Sequence, residues 1–150
     1  MKKIIYSLFV ILALSCIFVS CSDDDGDAPA PAGNPAEAAA GTYTGTWCRV
    51  LNNDTVRGEG TLTIAPTDSM YCADFTFEAP TLDLKASSVA NIAFAGADGK
   101  SFSFNNTLGA DGLGDFYGQI TNGVATVKFS KEVREGRKRY IYNFSFEGTK

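Results

Sequence analysis

The chain has 150 residues, 13 of them Lys or Arg and 17 Asp or Glu, which gives a formal net charge of -4. This length allows one small domain, and the acidic balance excludes the broad basic surface that nucleic-acid binding needs. Histidine is absent from the sequence, so the usual general base of hydrolases and the commonest zinc ligand are missing. We therefore predict a protein that is not an enzyme and that uses no metal or other cofactor.

The first twenty residues have the pattern of a bacterial lipoprotein signal peptide. Lys2 and Lys3 are followed by the nearly all-apolar run 4–19, which is shorter than the ~20 residues needed to span a bilayer. Cys21 follows this run after a small residue. Because such signals place the lipid on a cysteine sulfur, we predict cleavage of residues 1–20 and lipidation of Cys21.

Two other interpretations of the signal stay open. Cys16 also follows a serine, but cleavage there would leave the apolar residues 17–19 on the mature protein. An ordinary secreted protein without lipid is the second alternative. Several acyl chains give stable anchoring, because each buried methylene contributes ~0.8 kcal/mol. We therefore predict attachment to the outer membrane through the N-terminal lipid.

Residues 21–40 are predicted to form a disordered tether. The segment has no aromatic and no β-branched residue, so it lacks the side chains that build a core, and its prolines stiffen it into a spacer. The acidic run Asp23-Asp24-Asp25 resembles the surface-export signal of some Gram-negative lipoproteins. We therefore favour display on the cell surface over the periplasm, with an acidic solubilising linker as the alternative.

Residues 41–150 form the predicted domain, with 11 basic and 12 acidic side chains. Apolar and polar residues alternate with period two, as in half-buried strands, and turn-forming pairs such as Asn122-Gly123 separate the runs. The predicted strands are 41–50, 56–64, 70–79, 89–95, 101–105, 115–121, 124–131 and 139–148, with 82–85 as a ninth candidate. A meander of this length leaves two bare edges unless it closes, so we predict an all-β fold, a small up-and-down antiparallel barrel of about eight strands.

Strand alternation also predicts which side chains point into the barrel. Val56 and Tyr71 are placed inward, and so are twelve aromatic residues: Tyr43, Trp47, Phe75, Phe77, Phe94, Phe102, Phe104, Phe129, Tyr140, Tyr142, Phe144 and Phe146. An eight-stranded barrel has room only for its own side chains or for one small ligand. With so many rings, we predict a filled interior, with Trp47 against the closing strand.

The opening and closing strands carry short motifs that suggest a family. Gly45-Thr46-Trp47 resembles the start of the lipocalin and calycin barrels. The domain as a whole resembles a group of bacterial calycin-like lipoproteins of unknown function, through the lipid cysteine, the acidic tether, the opening at residues 41–46 and the closing Phe146-Glu147-Gly148. This resemblance implies a calycin-type barrel over residues 41–150 and implies no activity.

The candidate binding residues lie on later strands. Tyr117 is a candidate aromatic platform for a glycan. A basic cluster at the last hairpin suggests contact with lipopolysaccharide phosphate or an acidic glycan, with a solubilising hairpin tip as the alternative; it consists of Arg134, Arg137, Lys138 and Arg139, near Lys131. Asp111 and Asp115 suggest a carboxylate pair for a glycosidase or for calcium, but an Asp- and Gly-rich turn explains them as well.

Cys48 and Cys72 are the two cysteines of the domain. An oxidising envelope favours a disulfide between them. In a meander, however, Cys48 lies near the end of strand one and Cys72 near the start of strand three, at opposite ends of the sheet, on the order of 20 Å apart. A disulfide needs less than ~7 Å between Cα atoms, so free thiols are favoured.

These observations favour an envelope-anchored lipoprotein whose barrel binds a partner protein or a glycan without catalysis. A carrier of a small lipophilic ligand, of the lipocalin kind, is the first alternative. A periplasmic or surface enzyme inhibitor is the second. The sequence gives no indication of the oligomeric state.

Overall fold

A computed structural model describes residues 31–106, residue 113 and residues 116–150. The predicted signal peptide, the lipidation site Cys21 and the acidic run that follows it lie outside the described residues. So do Asp111 and Asp115. Among the residues that are described, no helix is long and apolar enough to cross a membrane.

The domain is all-β, as predicted. In the described part of the chain, eight antiparallel strands form one sheet in which each strand pairs with the next and β8 pairs with β1, so the sheet closes into a barrel. The strands are β1 (Gly41–Leu51), β2 (Asp54–Pro66), β3 (Cys72–Ala79), β4 (Leu84–Phe94), β5 (Phe102–Asn106), β6 (Phe116–Thr121), β7 (Val124–Glu135) and β8 (Lys138–Thr149). The ninth candidate, 82–85, is not a separate strand, because Leu82 ends a short 3-10 helix, Asp83 is left-handed, and Leu84 and Lys85 begin β4.

The register around the barrel is regular and fixes the tilt of the strands. A row of Cα partners that begins at Cys72 on β3 passes through β4 to β8 and β1 and ends at Arg57 on β2. Thr61 on β2 is the Cα partner of Glu78 on β3, so the same antiparallel register places Arg57 level with position 82. The row therefore returns to the line of β3 ten residues after Cys72, where it began. With ~3.3 Å per residue and ~4.8 Å between strands, this offset corresponds to a tilt of about 40°.

Trp47 lies at the centre of the barrel. Its side chain is fully buried, and its ring centroid is 5.7 Å from Phe77, 5.7 Å from Phe129 and 4.8 Å from Phe146. Phe146 is its register partner on the closing strand. The prediction that Trp47 lies inside, against β8, is confirmed.

Further rings fill the rest of the interior. Phe75, Phe104 and Phe116 are in mutual contact, with centroids 4.8 to 5.7 Å apart, and Phe77 joins this group to the rings around Trp47. Nine of the twelve aromatic residues predicted to point inward are buried: Tyr43, Trp47, Phe75, Phe77, Phe102, Phe104, Phe129, Phe144 and Phe146. The other three, Phe94, Tyr140 and Tyr142, are partly buried.

A short helix closes one end of the barrel, which we call the base. Helix α1 (Pro35–Ala39) is capped by the Asn34 side chain and buries Ala36 and Ala39. The Tyr43 hydroxyl donates a hydrogen bond to the Ala39 carbonyl oxygen at 2.9 Å. Disorder was therefore the wrong prediction for residues 35–39, because small alanines with an Asn cap and a proline in the first turn form a helix that packs without large apolar side chains.

The opposite end, which we call the mouth, is formed by strands that extend past their neighbours. β7 and β8 pair as far as Glu135 and Lys138, whereas β6 pairs with β7 as far as Lys128, and Leu113 forms an isolated bridge with Lys131 beyond it. The outer part of β2 likewise has no β3 partner before Thr61. Val56 was predicted to point into the barrel but is 42% exposed. It has the inward register, but it lies on the part of β2 that has no β3 partner.

Candidate functional site

A groove on the outside of the barrel is bordered by two exposed tyrosines. Tyr71 is 62% exposed and Tyr117 is 55% exposed. Both line a groove of about 410 Å³ across β4, β5 and β6, together with Asn91, Ile92, Ala93, Ser103, Phe104, Asn105 and Gly118. We call these nine residues the tyrosine groove.

The register of the sheet aligns the polar side chains of the tyrosine groove. Asn91 is the Cα partner of Asn105, and Asn105 is the partner of Tyr117, so these three lie side by side on neighbouring strands. Strand alternation turns all three outward, since Ile92, Phe104 and Phe116 beside them are buried. The predicted platform residue Tyr117 is therefore on the surface, and it belongs to a wider site.

Tyr71 was wrongly predicted to point inward. β3 begins one residue later, at Cys72, so Tyr71 belongs to the turn that precedes the strand. Its carbonyl oxygen accepts a hydrogen bond from the Ile92 amide at 2.8 Å, which holds its backbone beside Asn91. The ring is left on the rim of the groove.

The tyrosine groove is neutral. None of the nine described residues that line it carries a formal charge. Asn91, Ser103 and Asn105 are exposed, and they present amide and hydroxyl groups that donate and accept hydrogen bonds. The Asn91 side-chain oxygen also lies 3.5 Å from the Cys72 sulfur, which donates to it.

The groove continues past Tyr117 around the barrel. A second depression of about 270 Å³ lies beyond the ring and is lined in part by Lys128, Asn143 and Ser145. Lys128 is the Cα partner of Tyr117 and Ser145 is the partner of Lys128. The row from β3 to β8 crosses five strand spacings, which is about 24 Å at ~4.8 Å each.

The basic residues of the last hairpin lie elsewhere. Arg134 and Arg139 both pair with Glu132, at 3.0 and 3.3 Å, and Arg137 and Lys138 lie exposed at the β7–β8 turn. Arg134 lies six positions along β7 from Lys128, the neighbour of Tyr117, which is about 20 Å. The predicted ligand-binding residues therefore do not form one site.

Cys48 and Cys72 are free thiols and are far apart. Cys48 faces Arg57 on β2, whereas the Cys72 carbonyl oxygen accepts a hydrogen bond from the Thr67 hydroxyl, just past the end of β2. Arg57 and Thr67 are ten residues apart along the chain, on the order of 33 Å at ~3.3 Å per residue. This separation is too large for a disulfide between Cys48 and Cys72.

Two side chains at the base end have shifted pKa values. Burial raises the pKa of the Tyr43 hydroxyl. Hydrogen bonds from the Lys100 amide, the Ser101 hydroxyl and the Ser101 amide lower the pKa of Asp98. Within the described ranges, no group of three or more His, Cys, Asp or Glu residues is arranged to hold a metal ion.

Sequence reasoning found Tyr117 but missed the rest of the tyrosine groove. The sequence pattern that indicates the groove is the outward position of Asn91 and Asn105, which alternate with buried aromatic and aliphatic residues on consecutive strands. Comparison with protein-family models, with curated proteins and with solved structures finds no match for this chain.

Proposed function

We propose that this protein is a non-enzymatic binding module and that the tyrosine groove holds a neutral glycan chain. The observation that carries the proposal is the presence of two exposed tyrosine rings on one uncharged groove, with side-chain amides and a hydroxyl between them. An exposed apolar patch rimmed by polar residues marks an interaction site more often than a single exposed side chain does.

The chemistry of the groove suits a sugar. A tyrosine ring offers an apolar face for the C–H groups of a pyranose and a hydroxyl that still reaches water. Asn91, Ser103 and Asn105 offer the paired donors and acceptors that sugar hydroxyls require. The absence of charge from the described lining residues favours a neutral chain over the acidic glycan considered for the last hairpin.

The filled interior argues against the lipocalin-type carrier. A lipophilic ligand needs an internal cavity, but the centre of the barrel is occupied by Trp47, Phe77, Phe129 and Phe146 in ring-to-ring contact. We propose a calycin-type barrel on the basis of the Gly45-Thr46-Trp47 motif, and the packing of Trp47 on β1 against Phe146 of β8 supports it.

We further propose that Cys21 anchors the domain to the outer membrane through its lipid, with the groove displayed on the cell surface. The base helix α1 continues the chain from the predicted tether, which favours a mouth directed away from the membrane. Labelling with a fatty-acid analogue tests the anchor. The Cys21→Ala variant should lose the label, and undiminished labelling would rule this site out.

A glycan array with the full-length protein tests the binding proposal. Tyr71→Ala and Tyr117→Ala should each weaken binding of the selected neutral glycan about threefold to tenfold, the range for loss of an aromatic contact. Val89→Ala is the matched control, since Val89 is 52% exposed on the outer face of β4 and does not line the groove. Unchanged thermal midpoints are expected for all three variants.

Two results would contradict the proposal. The first is an array on which no neutral glycan is retained by the unchanged protein. The second is equal affinity of the Tyr71→Ala, Tyr117→Ala and Val89→Ala variants for the glycan that is retained. Preference for acidic glycans, lost on changing Arg134 and Arg139, would move the site to the last hairpin.

A further inference from the structure

The mouth of the barrel contains a second pocket, which is unrelated to the tyrosine groove. It has a volume of about 440 Å³ and is lined by ten residues from β1, β7, β8 and the segment before β4: Arg49, Leu82, Asp83, Lys131, Glu132, Val133, Arg134, Glu135, Tyr142 and Phe144. The apolar part of the lining includes the buried side chains of Leu82 and Phe144.

Arg49 points into this pocket from the inside of the barrel. It shares the inward register of β1 with Trp47, two residues earlier. One guanidinium nitrogen donates to the Leu82 carbonyl oxygen at 3.0 Å, and the guanidinium carbon lies 5.2 Å from the centre of the Tyr142 ring. These two contacts hold the cation in place at the rim of an otherwise aromatic core.

Among the described residues, no acid forms an ion pair with Arg49. Of the three ion pairs in the described part of the chain, none involves Arg49 or Lys131. Glu132, the nearest acid on β7 to Lys131, is paired with two arginines. Asp83 and Glu135 also border the pocket, but neither forms an ion pair with Arg49.

Lys131 adds a second cation to the same side of the mouth. It is the Cα partner of Tyr142, and it lies two residues beyond the buried Phe129 on the inward register of β7. A guanidinium with unused donors and an ammonium group that line the same pocket can each pair with an oxygen of a carboxylate. Tyr142 and Phe144 provide an adjacent apolar surface.

We propose that the mouth binds an organic anion, with its carboxylate held by Arg49 and Lys131 and its apolar part packed on Tyr142 and Phe144. This site is independent of the proposed glycan site. It lies at the end of the barrel opposite α1, and Arg49 is six positions along β1 from Tyr43, about 20 Å.

NMR titration of the full-length protein with benzoate, benzamide and inorganic phosphate tests the proposal. The amide and guanidinium signals of Arg49 should shift with benzoate, and the uncharged benzamide should bind at least about tenfold more weakly, since it lacks the charge. Phosphate offers charge without an apolar body, so weaker binding of phosphate than of benzoate is expected.

Matched variants assign the effect to the mouth. Arg49→Met keeps an apolar stem of similar length and should weaken benzoate binding about tenfold, as should Lys131→Met to a smaller degree. Arg137→Met removes an exposed cation at the hairpin tip and should leave the dissociation constant within about twofold. Asp83→Asn removes a competing negative charge from the pocket lining and should tighten binding.

The proposal is overturned if the unchanged protein binds benzoate no better than benzamide. It is also overturned if Arg49→Met, with its thermal midpoint preserved, binds benzoate as the unchanged protein does. Equal weakening by Arg49→Met and Arg137→Met would show that only the general charge of the surface matters. Tyr117→Ala should leave benzoate binding unchanged, which separates this result from the glycan experiment.

Discussion

The base and the mouth of this barrel are built from the same strands but differ in the side chains that they carry. At the base, α1 covers the opening and buries Ala36 and Ala39, and the Lys150 ammonium donates to the Ala40 carbonyl oxygen. At the mouth, β7 and β8 extend past their neighbours, and the inward register carries Arg49 and Tyr142. The base is therefore closed by the packing of α1, while the described residues at the mouth include charged and polar side chains.

Comparison of the two ends shows when a side chain that points into the barrel is also buried. Trp47 and Val56 both belong to the inward register of neighbouring strands, but Trp47 is fully buried and Val56 is 42% exposed. Trp47 has rings on three sides, whereas Val56 lies before the first β2–β3 pair, at Thr61. A side chain on an inward face is buried only where the ring of strands is complete.

The largest expected effect tests this difference directly. Trp47→Ala should lower the free energy of unfolding by ~3–5 kcal/mol, since it removes a large buried ring and leaves a cavity. Small domains have ~5–15 kcal/mol in total, so the variant should be close to unfolding. Denaturant titration followed by circular dichroism measures the change.

Val56→Ala is the control for this measurement. Its side chain is already partly in water, so the expected change is below ~1 kcal/mol. A Trp47→Ala variant as stable as the unchanged protein, or a Val56→Ala variant as damaged as Trp47→Ala, would show that the two positions do not differ as the structure indicates.

The sequence correctly predicted the part of the barrel in which each strand has a partner on both sides. Period-two alternation gave the strands and placed Phe75, Phe77 and Phe146 inside, because each of these residues has neighbours on both sides. The Asn122-Gly123 pair correctly predicted the hairpin between β6 and β7. Both residues have positive φ angles, 53° and 77°, as a two-residue type I′ turn requires.

Alternation alone did not predict the overhanging strands or the ends. The lengths of β7 and β8, and the loss of partners at their tips, depend on pairing between distant segments, which a single strand pattern does not encode. Tyr71 fits an inward register, but β3 starts just after it. The helix α1 has no hydrophobic stripe, so its burial follows from tertiary contact with the open end of the barrel.

A smaller effect is expected where α1 is attached to the base. Tyr43→Phe removes the hydroxyl that donates to the Ala39 carbonyl oxygen, and loss of such a bond costs about 1 kcal/mol. Because burial raises the pKa of Tyr43, its neutral form stabilises the fold fully below pH ~10, the usual tyrosine value. This stabilisation should be lost as the pH rises through the raised pKa of the folded state.

Denaturant titration at pH 8 and near pH 11 measures both effects. The unchanged protein should lose stability between the two values, and Tyr43→Phe should lose less, because phenylalanine does not ionise. Tyr140→Phe, which changes a partly buried tyrosine at the mouth, is the control. This variant should lose as much stability between the two pH values as the unchanged protein does. An alkaline loss of equal size in the Tyr43→Phe variant would show that another group is responsible.

The smallest expected effect concerns the turn between β4 and β5, also at the base end. The Asp98 carboxylate accepts hydrogen bonds from the Lys100 and Ser101 amides, each at 3.0 Å, and from the Ser101 hydroxyl at 2.8 Å. These bonds lower the pKa of Asp98, so their contribution is present above pH ~3.9, the unfolded value, and is lost as the pH falls through the lower folded value. The side chain is exposed, so the effect should be confined to the turn.

Amide hydrogen exchange at Lys100 and Ser101 is the sensitive measurement, because it reports local opening without global unfolding. Asp98→Ala should speed exchange at these two amides, while the thermal midpoint stays nearly constant. Asp74→Asn, on the outer face of β3, is the control and should leave both amides unchanged. If Asp98→Ala also sped exchange across β4 and β5, the turn would be part of the cooperative unit, and the base would depend on more than the packing of α1.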